Sequence, residues 1–193
     1  MSRRSKAIAA SLLAAAAFAL PAAVAAQAKY DGYLCCNLRS DGSWISDSNY
    51  AENGKRVIPV GTPTSITGYG RHRVNVRIDG ARQSIGNDYS RDLDLGTFAQ
   101  RYVVTEDPAA KIATYPAKIQ DAIKRAKITR GMTREQVLMS LGYPISSENP
   151  DLASNLWRYW ISSFAEFQVQ FDGAGRVSEI TTDPNTRNLV WVP

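Results

Sequence analysis

The hydrophobic rhythm of this chain changes near Val104 and changes back after Pro144. Before the first change, His72, Val74, Val76 and Ile78 alternate with Arg71, Arg73, Asn75 and Arg77, the two-residue period of a strand with one buried face. Within "PAKIQDAIKRAKI", Ile119, Ala122, Ile123 and Ala126 recur at helical spacing instead. After Pro144, Trp157, Tyr159 and Ile161 alternate with Arg158 and Trp160, and Phe167, Val169 and Phe171 with Gln168 and Gln170. A chain that switches period twice fits neither a helical bundle nor a sandwich. The expected class is α+β: a small all-β part at the N-terminal side, then two helices packed on a three-stranded antiparallel sheet.

The β part is expected over residues 29–106. Short runs at Val57–Val60 and Ser65–Tyr69 flank a Gly61-Thr62-Pro63 turn. Asp79-Gly80 is the dipeptide that favours a tight hairpin whose twist suits its strands. Short strands joined by such turns suggest a small barrel, and the run resembles bacterial SH3-like domains, in which a "GTP" turn precedes a β hairpin.

Pro116 suits a first helical turn, and Asp121 precedes Lys124 and Arg125 by three and four residues, a surface pairing. The next helix is punctuated at both ends in "ITRGMTREQVLMSLGYP". Thr133 can cap it, Gln136 stands at the reciprocal capping-box position, Gly142 can end it and Pro144 prevents continuation. Val137, Leu138 and Leu141 form its expected buried stripe, with Met132 packing before the cap. A helix of about three turns does not persist alone, so a sheet must hold it. That sheet is expected from "LWRYWISS", "AEFQVQFD" and "RVSEITTD", with Val177 and Ile180 on the third strand and Gly173 and Gly175 supplying unusual dihedrals in the "FDGAGRV" turn.

The opening residues bound the compartment. Arg3, Arg4 and Lys6 precede an apolar run from Ala7 to Leu20 and small residues through Ala28, the pattern of a secretory signal peptide over residues 1–28. The expectation is an exported protein of the periplasm or the periplasmic face of the outer membrane. Removing that segment takes three basic residues from the net charge of +5, leaving +2 over about 165 residues. Nucleic acid is then not an expected partner, because it needs a concentrated basic face.

In the second half, "ITRGMTREQVLMSLGYP", then "LWRYW", then "FQVQFDGAGRVSEI", resembles the SmpA/OmlA/BamE family of small outer-membrane lipoproteins. The shared pattern is a Gly-Met-Thr helix start, Gln-Val, Leu-Gly-x-Pro, an aromatic strand and a closing hairpin with Phe-Asp and Gly. It rests on Gly131, Met132, Thr133, Gln136, Val137, Leu141, Gly142 and Pro144, as fold determinants rather than ligands. The resemblance implies a domain over residues 112–183, with 184–193 a C-terminal tail. It also implies a non-enzymatic scaffold in the machinery that inserts β-barrel proteins, with protein partners there and an association with acidic phospholipid. In that family a lipid-modified cysteine follows the signal, whereas here Gly32-Tyr33-Leu34 before Cys35 lacks the small residue required. A lipid anchor is therefore not expected.

Cys35 and Cys36 are the only cysteines, in an exported and oxidising context. A vicinal disulfide, buried thiols, an intermolecular bond and a redox-sensitive pair all fit. Two thiols and one distant imidazole, His72, do not fill a tetrahedral metal set, so no metal or cofactor is expected. A Cys-His hydrolase would need an activated thiolate that neither cysteine has an obvious means to form. Arg71, Arg73 and Arg77 make a basic strand face suited to lipid phosphates or cell-wall carboxylates. Trp157 and Trp160 point to opposite faces of one strand, with Trp160 the one free to mark a partner surface. The sequence reads as an exported, non-enzymatic interaction module, with peptidoglycan or anionic-ligand binding as the alternative and a cysteine hydrolase as the third.

Overall fold

The computed structural model describes residues 27–52 and 54–193, so most of the expected signal segment lies outside the described residues. The chain is α+β. Its first half runs β1 (Asp31–Leu34), β2 (Leu38–Ser40), β3 (Trp44–Ser46), β4 (Arg56–Ile58), β5 (Pro63–Gly70), β6 (Arg73–Ile78), β7 (Ala81–Gly86), α1 (Leu95–Tyr102), β8 (Val103–Val104) and α2 (Pro108–Ile112). The second half runs α3 (Ala117–Lys124), α4 (Arg134–Leu141), β9 (Leu156–Ser162), β10 (Ala165–Phe171), β11 (Val177–Thr181) and α5 (Pro184–Val190).

The first half builds a six-stranded sheet in the order β3-β7-β6-β5-β1-β8, antiparallel except for the parallel β3–β7 pair, with β2 and β4 as a separate ribbon. The β6–β7 hairpin turns on Asp79 and Gly80, both with positive φ, as that dipeptide predicts. Val74, Val76 and Ile78 bury the predicted face, while Asn75 and Arg77 stay in solvent. This half is not all β. Asp94 caps α1, whose Oδ1 accepts from Thr97 N at 2.9 Å, and α1 drives Phe98, Ala99 and Tyr102 into the core.

In the second half β10 lies between β9 and β11, all antiparallel. The capping box on α4 is complete: Thr133 N donates to Gln136 Oε1 at 2.9 Å and Gln136 N donates to Thr133 Oγ1 at 3.3 Å. Gly142 ends the helix at φ +83°, where a side chain would be strained. Several expectations are corrected in detail. Helix α4 spans eight residues, nearer two turns than three, and its buried residues include Met139 and Ser140, while Leu138 is only half covered. Helix α3 stops at Lys124, so Ala126 is buried from a turn with φ +50° rather than from the helix. Only Gly175 of the hairpin glycines has positive φ. Residues 184–193 are not a tail: Asp183 caps α5, Val190 is wholly buried, and Trp191 bridges to Ile128.

Each half has its own hydrophobic core, and each lends residues to the other. Val60 and Ile112 pack against the second core, and Tyr143 against the first. The seam is polar and fully paired around the end of α4, whose last carbonyls have no partner within the helix. Met139 O accepts from Asn37 N at 2.9 Å and Ser140 O from Asn37 Nδ2 at 3.1 Å. Leu141 O accepts from Asn49 Nδ2 at 2.7 Å and Gly142 O from Tyr159 OH at 3.1 Å. Asn37 Nδ2 also donates to Ile123 O, and its Oδ1 accepts from Val60 N. The helix start is capped locally, and the carbonyls of Met139, Ser140 and Leu141 at its end are capped by the other half.

Candidate interaction surface

Trp44 lies on β3, the edge strand of the large sheet. The Arg73 guanidinium stacks over its ring at 3.5 Å and bonds Asp88 Oδ1 at 2.8 Å. This sandwich closes over Gly86: a Cβ there would meet Asp88 Oδ2 at 2.5 Å, Arg73 Nη1 at 2.8 Å and the Trp44 ring at 2.9 Å. Glycine is what lets the three side chains converge.

The following loop is pinned by a buried carboxylate. Asp47 accepts from Asp88 N at 3.2 Å, Tyr89 N at 3.1 Å and Ser90 N at 2.8 Å. Burial pushes its carboxyl up from the ordinary value, and the amide donors oppose that without cancelling it. The pinned loop holds Tyr89 out in solvent at 47% exposure, its ring 6.5 Å from that of Tyr50. Tyr50 carries Lys55 Nζ 5.9 Å from its ring centroid, and burial raises its phenol.

Trp44, Tyr50 and Tyr89, with Ser46, Ser48, Glu52, Lys55, Asp88 and Arg91, line an open groove of 480 Å³. The second half completes this face. Ala51 N donates to Ile161 O at 2.9 Å, Ser147 Oγ donates to Tyr89 O at 3.0 Å, and the Ser163 hydroxyl neighbours that of Tyr50. The β9–β10 turn next to them carries Phe164, 97% exposed. A phenylalanine so uncovered has no structural reason to be apolar.

The residues singled out from sequence fare differently. Gly131, Met132, Thr133, Gln136, Val137, Leu141, Gly142 and Pro144 all serve the fold: Met132 and Val137 are fully buried, and Gly131 N donates to Val177 O. Cys35 and Cys36 form a vicinal disulfide, Cys36 in the first core and Cys35 half exposed. His72 lies in the β5–β6 turn, and among the described residues its ring makes no hydrogen bond to either sulfur. The arginines of the expected basic face are differently engaged. Arg71 precedes β6, Arg73 is engaged by Trp44 and Asp88, and Arg77 donates to Gly80 O. Trp160 is half buried and donates from Nε1 to Glu148 Oε2 at 2.8 Å. Trp157 is core, as the opposite face requires.

Sequence reasoning missed Trp44, Tyr50, Tyr89 and Phe164. For Phe164 a signal existed: it breaks the alternation that Phe167, Val169 and Phe171 keep, beside two serines in a turn. For the other three, only the folded loops bring them together. Among the described residues no helix is long and apolar enough to cross a membrane, and no group of three or more His, Cys, Asp or Glu is placed to hold a metal ion. Comparison with protein-family models, curated proteins and solved structures returns no match for this chain.

Proposed function

We propose that this is an exported envelope protein that acts by contact rather than by catalysis, similar in role to the SmpA/OmlA/BamE scaffolds of outer-membrane protein assembly. The observation that carries the reading is the aromatic face, with Phe164 fully presented at a hairpin tip beside the Trp44–Tyr50–Tyr89 groove. Exposed aromatics on a rigid support are what interface hot spots are made of. Helices α3 and α4 with the β9–β10–β11 sheet support the reading, although α5 is a further helix that the likeness does not imply. A disulfide fits an oxidising compartment such as the periplasm, and it leaves neither sulfur as the thiolate a hydrolase would need.

A second reading, recognition of peptidoglycan, has one observation of its own: aromatic rings and the Ser46 and Ser48 hydroxyls share the groove, a combination suited to stacking on sugar rings. Anionic lipid is less well served, since Arg73 is already paired.

Placing a photo-crosslinking phenylalanine at Phe164 and irradiating intact cell envelopes separates these. An adduct with an outer-membrane barrel or its assembly lipoproteins is the expected result. Adducts that stay with the peptidoglycan sacculus would favour the second reading. Yields no higher than from an exposed control position such as Lys118 would overturn both.

A further inference from the structure

The seam between the halves opens, away from the aromatic groove, into a cleft of 230 Å³. Its floor is apolar, formed by Cys35, Val104, Leu138, Met139 and the ring of Tyr143. The disulfide matters here: Cys35 presents a proton-free sulfur to the floor in place of a thiol. Burial raises the Tyr143 phenol, so it stays neutral, and Arg101 sits 5.2 Å from its ring centroid.

The rim is charged and unbalanced. Glu106, Asp107 and Glu135 stand there against Lys111, with Arg101 over Tyr143 at the edge, so the carboxylates remain in excess. Lys111 Nζ bonds Glu135 Oε1 at 2.5 Å, tying α2 to α4 and raising the lysine's own pKa mainly through that bond. Asp107 Oδ1 accepts from Ala109 N at 2.9 Å as the cap of α2, a neutral donor that leaves the charge in place. Glu106 has no ion pair among the described residues.

Volume and charge together restrict the occupant. Drug-sized ligands need roughly 300–1,000 Å³, so this cleft has room for about one long side chain. An apolar trough ending in surplus carboxylates matches an aliphatic stem with a cationic head. An anionic group would meet three carboxylates, and a wholly apolar one would strip water from them without compensation. We propose that the cleft receives one arginine or lysine side chain of a partner polypeptide. Its stem lies on Cys35, Leu138 and Met139, and its head lies between Glu106 and Asp107. Lys111 on Glu135 shows the same chemistry within the chain. This contact is independent of the aromatic face and stands whichever partner that face engages.

The test is a titration of the ¹⁵N-labelled protein with acetyl-Gly-Gly-Arg-Gly-Gly-amide, followed through the backbone amides by NMR. A second titration uses the same peptide with neutral citrulline in place of arginine. Saturating shifts are expected at Glu106, Lys111 and Leu138, with binding about tenfold weaker for the citrulline peptide. The double variant Glu106→Gln, Asp107→Asn should lose a similar factor while its remaining spectrum is unchanged, because asparagine also caps a helix. Equal affinity for the two peptides, undiminished binding by the double variant, or shifts confined to Trp44 and Tyr89 would each overturn the proposal.

Discussion

Asn37 and Tyr89 are both fixed by hydrogen bonds that reach far along the chain, yet they are fixed for opposite ends. Asn37 is buried and spends its whole side-chain amide on carbonyls and an amide of the seam. Tyr89 has its backbone tied to Asp47 and Ser147 so that its ring can remain outside. Where polar groups are satisfied inward, the residue belongs to the fold. Where the backbone is satisfied and the side chain is left in water, that side chain adds little to the core. The contrast separates the inward-facing motif residues of α4 from the aromatic face.

Substitutions along this gradient should sharpen or break the contrast. The largest effect is expected for Asn37→Ala, which strands the Ser140 carbonyl and the Val60 amide in the seam and takes one of the donors from Ile123 O: about 3 kcal/mol of unfolding free energy, read by urea denaturation. Because the seam joins both cores, tryptophan fluorescence and circular dichroism should report one coincident transition in the parent protein. Two separated transitions would show that the halves are less coupled than their hydrogen bonds indicate.

Next comes Asp47→Ala, expected to cost about 2 kcal/mol by freeing three loop amides, that of Ser90 buried. Its pH dependence has a definite sign. A carboxyl raised in the folded state binds its proton more tightly there than when unfolded. It therefore favours the fold fully below the ordinary carboxylate value and loses that contribution as pH rises through the shifted one. Asp47→Asn should flatten the decline of stability upward from about pH 4, measured as Tm across a pH series. A steeper decline in the variant would contradict the assignment.

Thr133→Ala should cost about 1 kcal/mol by opening the capping box, and should leave the aromatic face unaltered in crosslinking. The smallest effect on stability, within about 0.5 kcal/mol, is expected for Phe164→Ala, which touches no core. The same variant should lose most envelope binding. A large loss of stability from Phe164→Ala would place this residue with Asn37 and dissolve the distinction.

Those two classes of residue also differ in how far they were legible beforehand. The capping box on α4 and the Asp79-Gly80 turn were readable because each is settled within four residues. The strand faces were readable because burial repeats every second residue. Helix α1 was missed: Gly96 and Thr97 are poor helix formers in its first turn, and Phe98, Ala99 and Tyr102 become helical by packing on the sheet. Helix α5 has its signal in Asp183-Pro184, an acidic cap before a first-turn proline, but its seven residues carry too little apolar periodicity to stand out. The seam was illegible in principle from local pattern. Asn37 meets Ser140 across 103 residues and Asn49 meets Leu141 across 92. The aromatic face has the same cause, since Tyr50 and Tyr89 meet only after Asp47 folds the loop between β7 and α1.

The borrowed cap at the end of α4 also sets an order of events. As the chain is made, the loops bearing Asn37 and Asn49 emerge long before the helix whose carbonyls they will close. Until the earlier half is in place, the later half lacks the donors for three of its helix carbonyls. A chain with a damaged first half would expose the open end of that helix and the apolar residues beside it. Such a lesion advertises itself to chaperones and proteases far from where it arose, so the joint works as an inspection of the fold as well as a bond within it.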